Sequence, residues 1–141
     1  MALKVITKEL NIKTKGNGDL IDITDYIQKE LYEVKLKEGN VLVFVVGSTA
    51  AITTFEYESG LISDIKELYE KLIPSNKSYL HDQTWQDANG FSHLRAAIQG
   101  PSLVIPFNNQ KLLLGTWQQV VLAEFDTRPR SRTIILQFIG E

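Results

Sequence analysis

No cysteine occurs in the chain, which excludes disulfides, thiolate metal sites and thiol nucleophiles together. Any metal would have to be held by imidazole, carboxylate, amide or water. Imidazole is scarce as well, since His81 and His93 are the only two histidines. Long apolar runs are missing. The longest, Val41–Val46, is far short of the roughly 20 residues that span a bilayer, so no membrane partner is expected. The stretch Met1–Glu9 meets charge already at Lys4, too soon for the apolar centre of a signal peptide, and a cytoplasmic location is the expectation. A dominant charge sign is lacking too. Fifteen basic and seventeen acidic residues leave a net charge of −2, which gives no electrostatic reason to expect a nucleic acid partner.

The 141 residues, 43% of them hydrophobic, fit one domain over 1–141 with a sizeable core. Alternation over 3–13 predicts a strand with one break in register, and Gly16–Asp19 a turn. Thr24 or Asp25 is expected to cap a helix with Ile27, Leu31 and Val34 on one face, closed by Glu38–Asn40. Val41–Val46, apolar throughout, reads as a strand covered on both faces, and Ala50–Tyr57 as the next strand. Leu61, Ile65, Leu68, Tyr69 and Leu72 form a helical stripe that Pro74 stops. Ser75–Thr84 reads as polar loop, followed by a short helix ending at Gly100–Pro101. Segments 103–107, 111–114, 120–125 and 133–139 read as consecutive antiparallel strands, and this order favours an α+β fold.

Potential chemistry concentrates in His81–His93, which also contains Asp82, Asp87 and Asn89. The histidines are twelve positions apart, so a metal shared between them requires the intervening chain to fold back. Two imidazoles with carboxylate and amide oxygens suit zinc, manganese or another divalent ion. Gly47-Ser48-Thr49 after a buried strand offers either a backbone nest for an anion or only a strand bulge. Glu56 and Glu58 would share one face of an extended segment. In Asp126–Arg132, extended backbone would point Arg128, Arg130 and Arg132 the same way, as a phosphate clamp, a subunit contact or an exposed basic loop. Trp117 is expected in the core or an interface, with ligand stacking as the other reading.

Several segments together resemble the YjbQ-like family, whose members are often described as secondary thiamine-phosphate synthase enzymes. They are Ser48–Ala51, Glu56–Glu58, Asn89–His93, Leu114–Gln118, Glu124–Asp126 and Pro129–Arg132, spread over essentially the whole chain. The resemblance implies an α+β antiparallel β-sandwich with a few helices, assembled as a homotrimer. It also implies a histidine-containing pocket for a divalent metal (Zn, Mn or Mg) beside a site for a small anionic or phosphorylated ligand. Carried over by position, His93, Asp87 and Asn89 are the catalytic set and His81 and His93 the metal ligands. Thr49, Glu56 and Arg130, matched by position, and Arg128, added from the arginine run, are the expected substrate-binding set. Many members have histidine where Phe91 stands and an acid where Ala88 stands, so metal affinity is expected to fall here. Two readings follow: an enzyme with weak thiamine-phosphate-synthase-like activity, or a non-catalytic trimer that binds a small anionic metabolite or metal ion.

Overall fold

A computed structural model describes residues 2–141. The strands are β1 (Lys4–Lys13), β2 (Leu20–Asp22), β3 (Gly39–Val46), β4 (Ala50–Phe55), β5 (Ser102–Asn108), β6 (Lys111–Leu112), β7 (Gln119–Glu124) and β8 (Ser131–Gly140). The helices are α1 (Thr24–Val34), α2 (Ser59–Leu72), α3 (Leu80–Trp85) and α4 (Gly90–Gln99). All strand pairs are antiparallel, in a five-stranded sheet ordered β1-β8-β3-β5-β6 and a three-stranded sheet ordered β2-β7-β4. The fold is α+β, as expected.

Alternation places the two sheets. Val41, Val43 and Val45 of β3 and Ile134, Leu136 and Phe138 of β8 point inward and meet Ile52, Val120 and Leu122 of the smaller sheet. Ile27 and Leu31 of α1, one turn apart, complete that core. The other face of the smaller sheet, with Ala51, Val121, Ala123 and Phe125, is covered by Ile62, Ile65 and Tyr69 of α2 and Ala96 of α4. The last four strands are not a meander. β5 and β6 pair with each other, β7 lies in the small sheet, and β8 returns between β1 and β3.

Five local expectations change. Neither Thr24 nor Asp25 caps α1 with its side chain. The Thr24 hydroxyl instead donates to Asp22 Oδ1 (2.6 Å) and accepts from the Val120 N–H (2.8 Å), tying the helix start to β7. The helix ends at Val34 with Lys35 left-handed, and Gly39 opens β3. A Cβ at Gly39 would sit 2.0 Å from the Ile139 carbonyl oxygen, so only glycine allows β3 and β8 to approach there. Strand β3 is covered on one face only within the chain, with Phe44 and Val46 exposed. In α2, Leu68 and Leu72 face outward, and Ile62 joins Ile65 and Tyr69 on the packed side. Trp117 is exposed on the loop before β7 rather than in the core. No helix among the described residues is long and apolar enough to cross a membrane.

Candidate functional site

The segment read as polar loop is partly helical, and this brings the histidines together. Asp82 accepts hydrogen bonds from the Tyr79 N–H (3.0 Å) at the start of α3 and from the Gly90 N–H (2.8 Å) at the start of α4. These two backbone donors hold its carboxyl below the usual carboxylate range. A Cβ at Gly90 would lie 2.8 Å from Tyr79 Cβ and 2.9 Å from Asp82 Oδ1, so glycine is needed where α3 crosses α4. With the two helices clamped in this way, the rings of His81 and His93 stand 4.5 Å apart between centroids. Gln86 and Ala88 both adopt left-handed backbone and turn the chain around Asp87 between them.

His81 Nδ1 is buried without a hydrogen-bond partner, 3.9 Å from Asp82 Oδ1 and 3.8 Å from Asp87 Oδ1. Donor atoms of these three residues all lie within 4.8 Å of one another. One imidazole and two carboxylates fit a borderline divalent ion such as zinc or manganese, and an unpartnered buried nitrogen is what such a ligand looks like without its ion. The converging set is His81, Asp82 and Asp87. His93 lies outside it, while Asp82, one of the oxygen donors offered by the sequence, lies inside it.

His93 faces a hollow of about 510 Å³, lined also by Gly47, Ser48, Thr49, Asp87 and Asn89 from one side and by Asp126, Thr127, Arg128, Arg130 and Arg132 from the other. Three separate stretches of sequence thus form one site: the corner where the chain passes from β3 to β4, the α3–α4 segment, and the connection from β7 to β8. The Asn89 amide stands between two carboxylates. With its nitrogen toward Asp87 it donates at 2.9 and 3.1 Å, while the opposite orientation reaches Asp126 at 3.4 Å. The first orientation makes two bonds in place of one and is preferred.

The arginines are not equivalent. Arg132 is 3% exposed, and its Nε and Nη2 both bind the fully buried Glu124. The same Nη2 donates to Thr49 Oγ1 at 2.7 Å. Thr49 in turn donates to Asp126 Oδ2 (3.0 Å), which also receives Arg130 Nη1 at 2.6 Å. Arg128 lies in the bend before Pro129 and makes no ion pair among the described residues. The three arginines do not share one strand, because Arg128 lies in a bend and β8 begins only at Ser131, so that Arg132 alone is in it. Burial alone would raise the Asp126 carboxyl, but the Thr127 N–H, the Thr49 hydroxyl and the Arg130 guanidinium outweigh it and hold the group low. Sequence reasoning had Glu124 and Asp126 only as parts of a motif. A carboxylate at a strand end two residues from another, followed by three alternating arginines, was the available signal.

Other expectations are redistributed. Strand β4 stops at Phe55, so Glu56 lies beyond the end opposite Thr49, about 20 Å away by strand rise. There it borders a separate depression with Asp22, Tyr57 and Trp117. Glu58 shares no strand face with it, and caps α2 by accepting from the N–H groups of Gly60 (2.6 Å) and Leu61 (2.9 Å). Phe91 is buried with the Arg95 guanidinium 4.8 Å from its ring centre and does not line the hollow, and neither does exposed Ala88.

Known proteins share both this sequence and this architecture. The family described as UPF0047 protein YjbQ-like matches residues 8–141. A UPF0047 protein of Archaeoglobus fulgidus is 42% identical over 129 residues, covering 92% of this chain and 98% of its own. The Bacillus subtilis UPF0047 protein YugU is 30% identical over 135 residues, covering 94% of this chain and 98% of its own. Among solved structures, a YbjQ-like protein of unknown function from Sulfolobus solfataricus superimposes with a TM-score of 0.92 at 33% identity, covering 99% of this chain and all of that one. A hypothetical protein from Aeropyrum pernix gives 0.89, also at 33% identity, covering 96% of this chain and 99% of that one. With the match running through every element of both sheets, the chain belongs to the UPF0047 YjbQ-like family.

Proposed function

We propose that the hollow between the α3–α4 segment and the β7–β8 connection binds a small phosphorylated molecule. One observation carries this reading: Arg128 and Arg130 share a single cavity of about 510 Å³ with His93, Asp87 and Asn89. Guanidiniums match phosphoryl oxygens in charge and geometry, and an imidazole on the same wall is within range of a group attached to that phosphate. The volume suits a phosphorylated metabolite. His81, Asp82 and Asp87 would hold a divalent ion next to His93. Such an ion, when bound, would supply positive charge toward a departing diphosphate. Thr49 is spent on Arg132 and Asp126, so at this corner contact with a ligand falls to the exposed Ser48 and the adjacent backbone.

Within this reading the reaction to test first is thiamine-phosphate-synthase-like: a pyrimidine-methyl diphosphate joined to a thiazole phosphate with release of pyrophosphate. It demands neutralisation of a leaving diphosphate rather than a nucleophile, and the arginine wall is suited to that. Self-association as a trimer belongs to the same proposal. The outer face of the five-stranded sheet exposes Val5, Phe44, Val46, Val104 and Ile139, more apolar surface than a solitary sheet face carries at no cost.

Calorimetric titration with inorganic phosphate and with pyrophosphate, with and without zinc or manganese, tests the pocket. Saturable binding lost in Arg128→Gln is the expected result, and no binding of either anion overturns the reading. Product formation from the two precursors, compared with His93→Ala, tests the reaction, and sedimentation of the same samples reads the oligomer.

A further inference from the structure

The charges of the hollow nearly cancel before any ligand arrives. Arg132 is fully matched by Glu124, with which it makes two guanidinium–carboxylate bonds out of contact with water. Arg130 is matched by Asp126, through one bond of 2.6 Å at a side chain still 35% exposed. Arg128 is the one lining arginine without a carboxylate partner among the described residues. A phosphomonoester brings a charge of about −1.5 to −2 and three acceptor oxygens, which one guanidinium does not satisfy. A second arginine has to be released, and Arg130 is the one that is itself partly exposed and whose carboxylate, though only 4% exposed, keeps two other hydrogen-bond donors.

We infer that Arg130 is an exchangeable arginine, parked on Asp126 in the free protein and transferred to the phosphoryl oxygens of a bound ligand, so that Asp126 sets the anion affinity of the hollow. The inference rests on the phosphorylated-ligand reading above. Three features make the exchange inexpensive. The Arg130 backbone is pinned, its N–H donating to Thr14 Oγ1 (3.1 Å) and its carbonyl accepting from the Thr14 N–H (2.8 Å), so only the side chain has to move. Asp126 keeps the Thr49 hydroxyl (3.0 Å) and the Thr127 N–H (2.8 Å) after Arg130 leaves, so it stays anionic and satisfied. Thr49 is itself fixed by Arg132, which makes the locked pair the support on which the exchanging pair turns. A monoanionic ligand would be matched by Arg128 alone and leave Arg130 parked, so the hollow is selective for dianionic phosphoryl groups.

The test is a double-mutant cycle read by calorimetric binding of inorganic phosphate at pH 8. Asp126→Asn keeps its one oxygen for the Thr127 N–H and turns its amide nitrogen to donate to Thr49 Oγ1, which releases Arg130, and is expected to bind phosphate about three- to tenfold more tightly, the range set by a partly exposed ion pair. Arg130→Gln is expected to weaken binding, and Asp126→Asn placed on top of it to restore nothing. Unchanged or weaker binding in Asp126→Asn, or equal tightening in both backgrounds, overturns the exchange while leaving the pocket reading intact. Absence of phosphate binding in both wild type and Asp126→Asn overturns both. If Asp126→Asn does not fold, nitrogen-15 spectra of the wild type decide the question. The Arg130 guanidinium resonance, assigned by its loss in Arg130→Gln, is expected to shift on phosphate addition while that of Arg132 stays fixed, and an unmoved Arg130 resonance overturns the inference.

Discussion

Arg130 and Arg132 stand two residues apart and pair with carboxylates two residues apart, Asp126 and Glu124, yet they do opposite work. The inner pair has no access to water and is tied on both sides, to Thr49 through the arginine and to Thr14 through the glutamate (2.8 Å). The outer pair has one bond and an open flank. The same chemistry one strand pitch further out thus changes from structural to functional. What differs is the cost of separating the charges: high where no solvent can replace the partner, small where water or a phosphate can.

The comparison can be broken most forcefully at the inner pair. Glu124→Gln leaves the Arg132 guanidinium buried without a counter-charge and is expected to cost about 3–5 kcal/mol of unfolding free energy in urea titrations. A cost similar to that of an exposed ion pair would erase the distinction. A smaller, pH-dependent effect belongs to Asp126. Its carboxyl is held below its unfolded value, so its contribution to stability is fully present above about pH 4 and is lost as pH falls through the lower folded value. Urea midpoints measured from pH 6 down to pH 2 are therefore expected to fall less steeply in Asp126→Asn than in wild type, and parallel curves would contradict this. The smallest effect is expected at Arg130 itself. Arg130→Gln should cost about 1–2 kcal/mol, less than at the inner pair, because Asp126, only 4% exposed, keeps the Thr49 hydroxyl and the Thr127 N–H.

Much of this region was legible in the sequence, for identifiable reasons. His81, His93, Asp87 and Asn89 are close along the chain, and only α3 and α4, each started at the Asp82 bracket, were needed to bring the two imidazoles together. The arginines announced themselves by alternation. What periodicity could not show was which of them is buried, since that depends on Glu124 at the end of a strand from the other sheet. Nor could it show that Glu56 lies at the far end of β4, because alternation gives a face and leaves open where the strand stops. The helix α3 was missed because six residues are too few for a periodic signal, and its start relies on a carboxylate rather than on serine or threonine at the cap.

The position of β8 has a further consequence for how the molecule is made. It is the eighth strand along the chain but the second in its sheet, wedged between β1 and β3 over almost their full lengths. Until β8 emerges from the ribosome, β1 has no neighbour and β3 lacks one of its two, so both offer unpaired edges to other chains. The residues that complete the anion wall arrive with that same strand. Assembly of the sheet and assembly of the site are therefore one event, late and long-range, and refolding is expected in the millisecond-to-second range typical of such topologies.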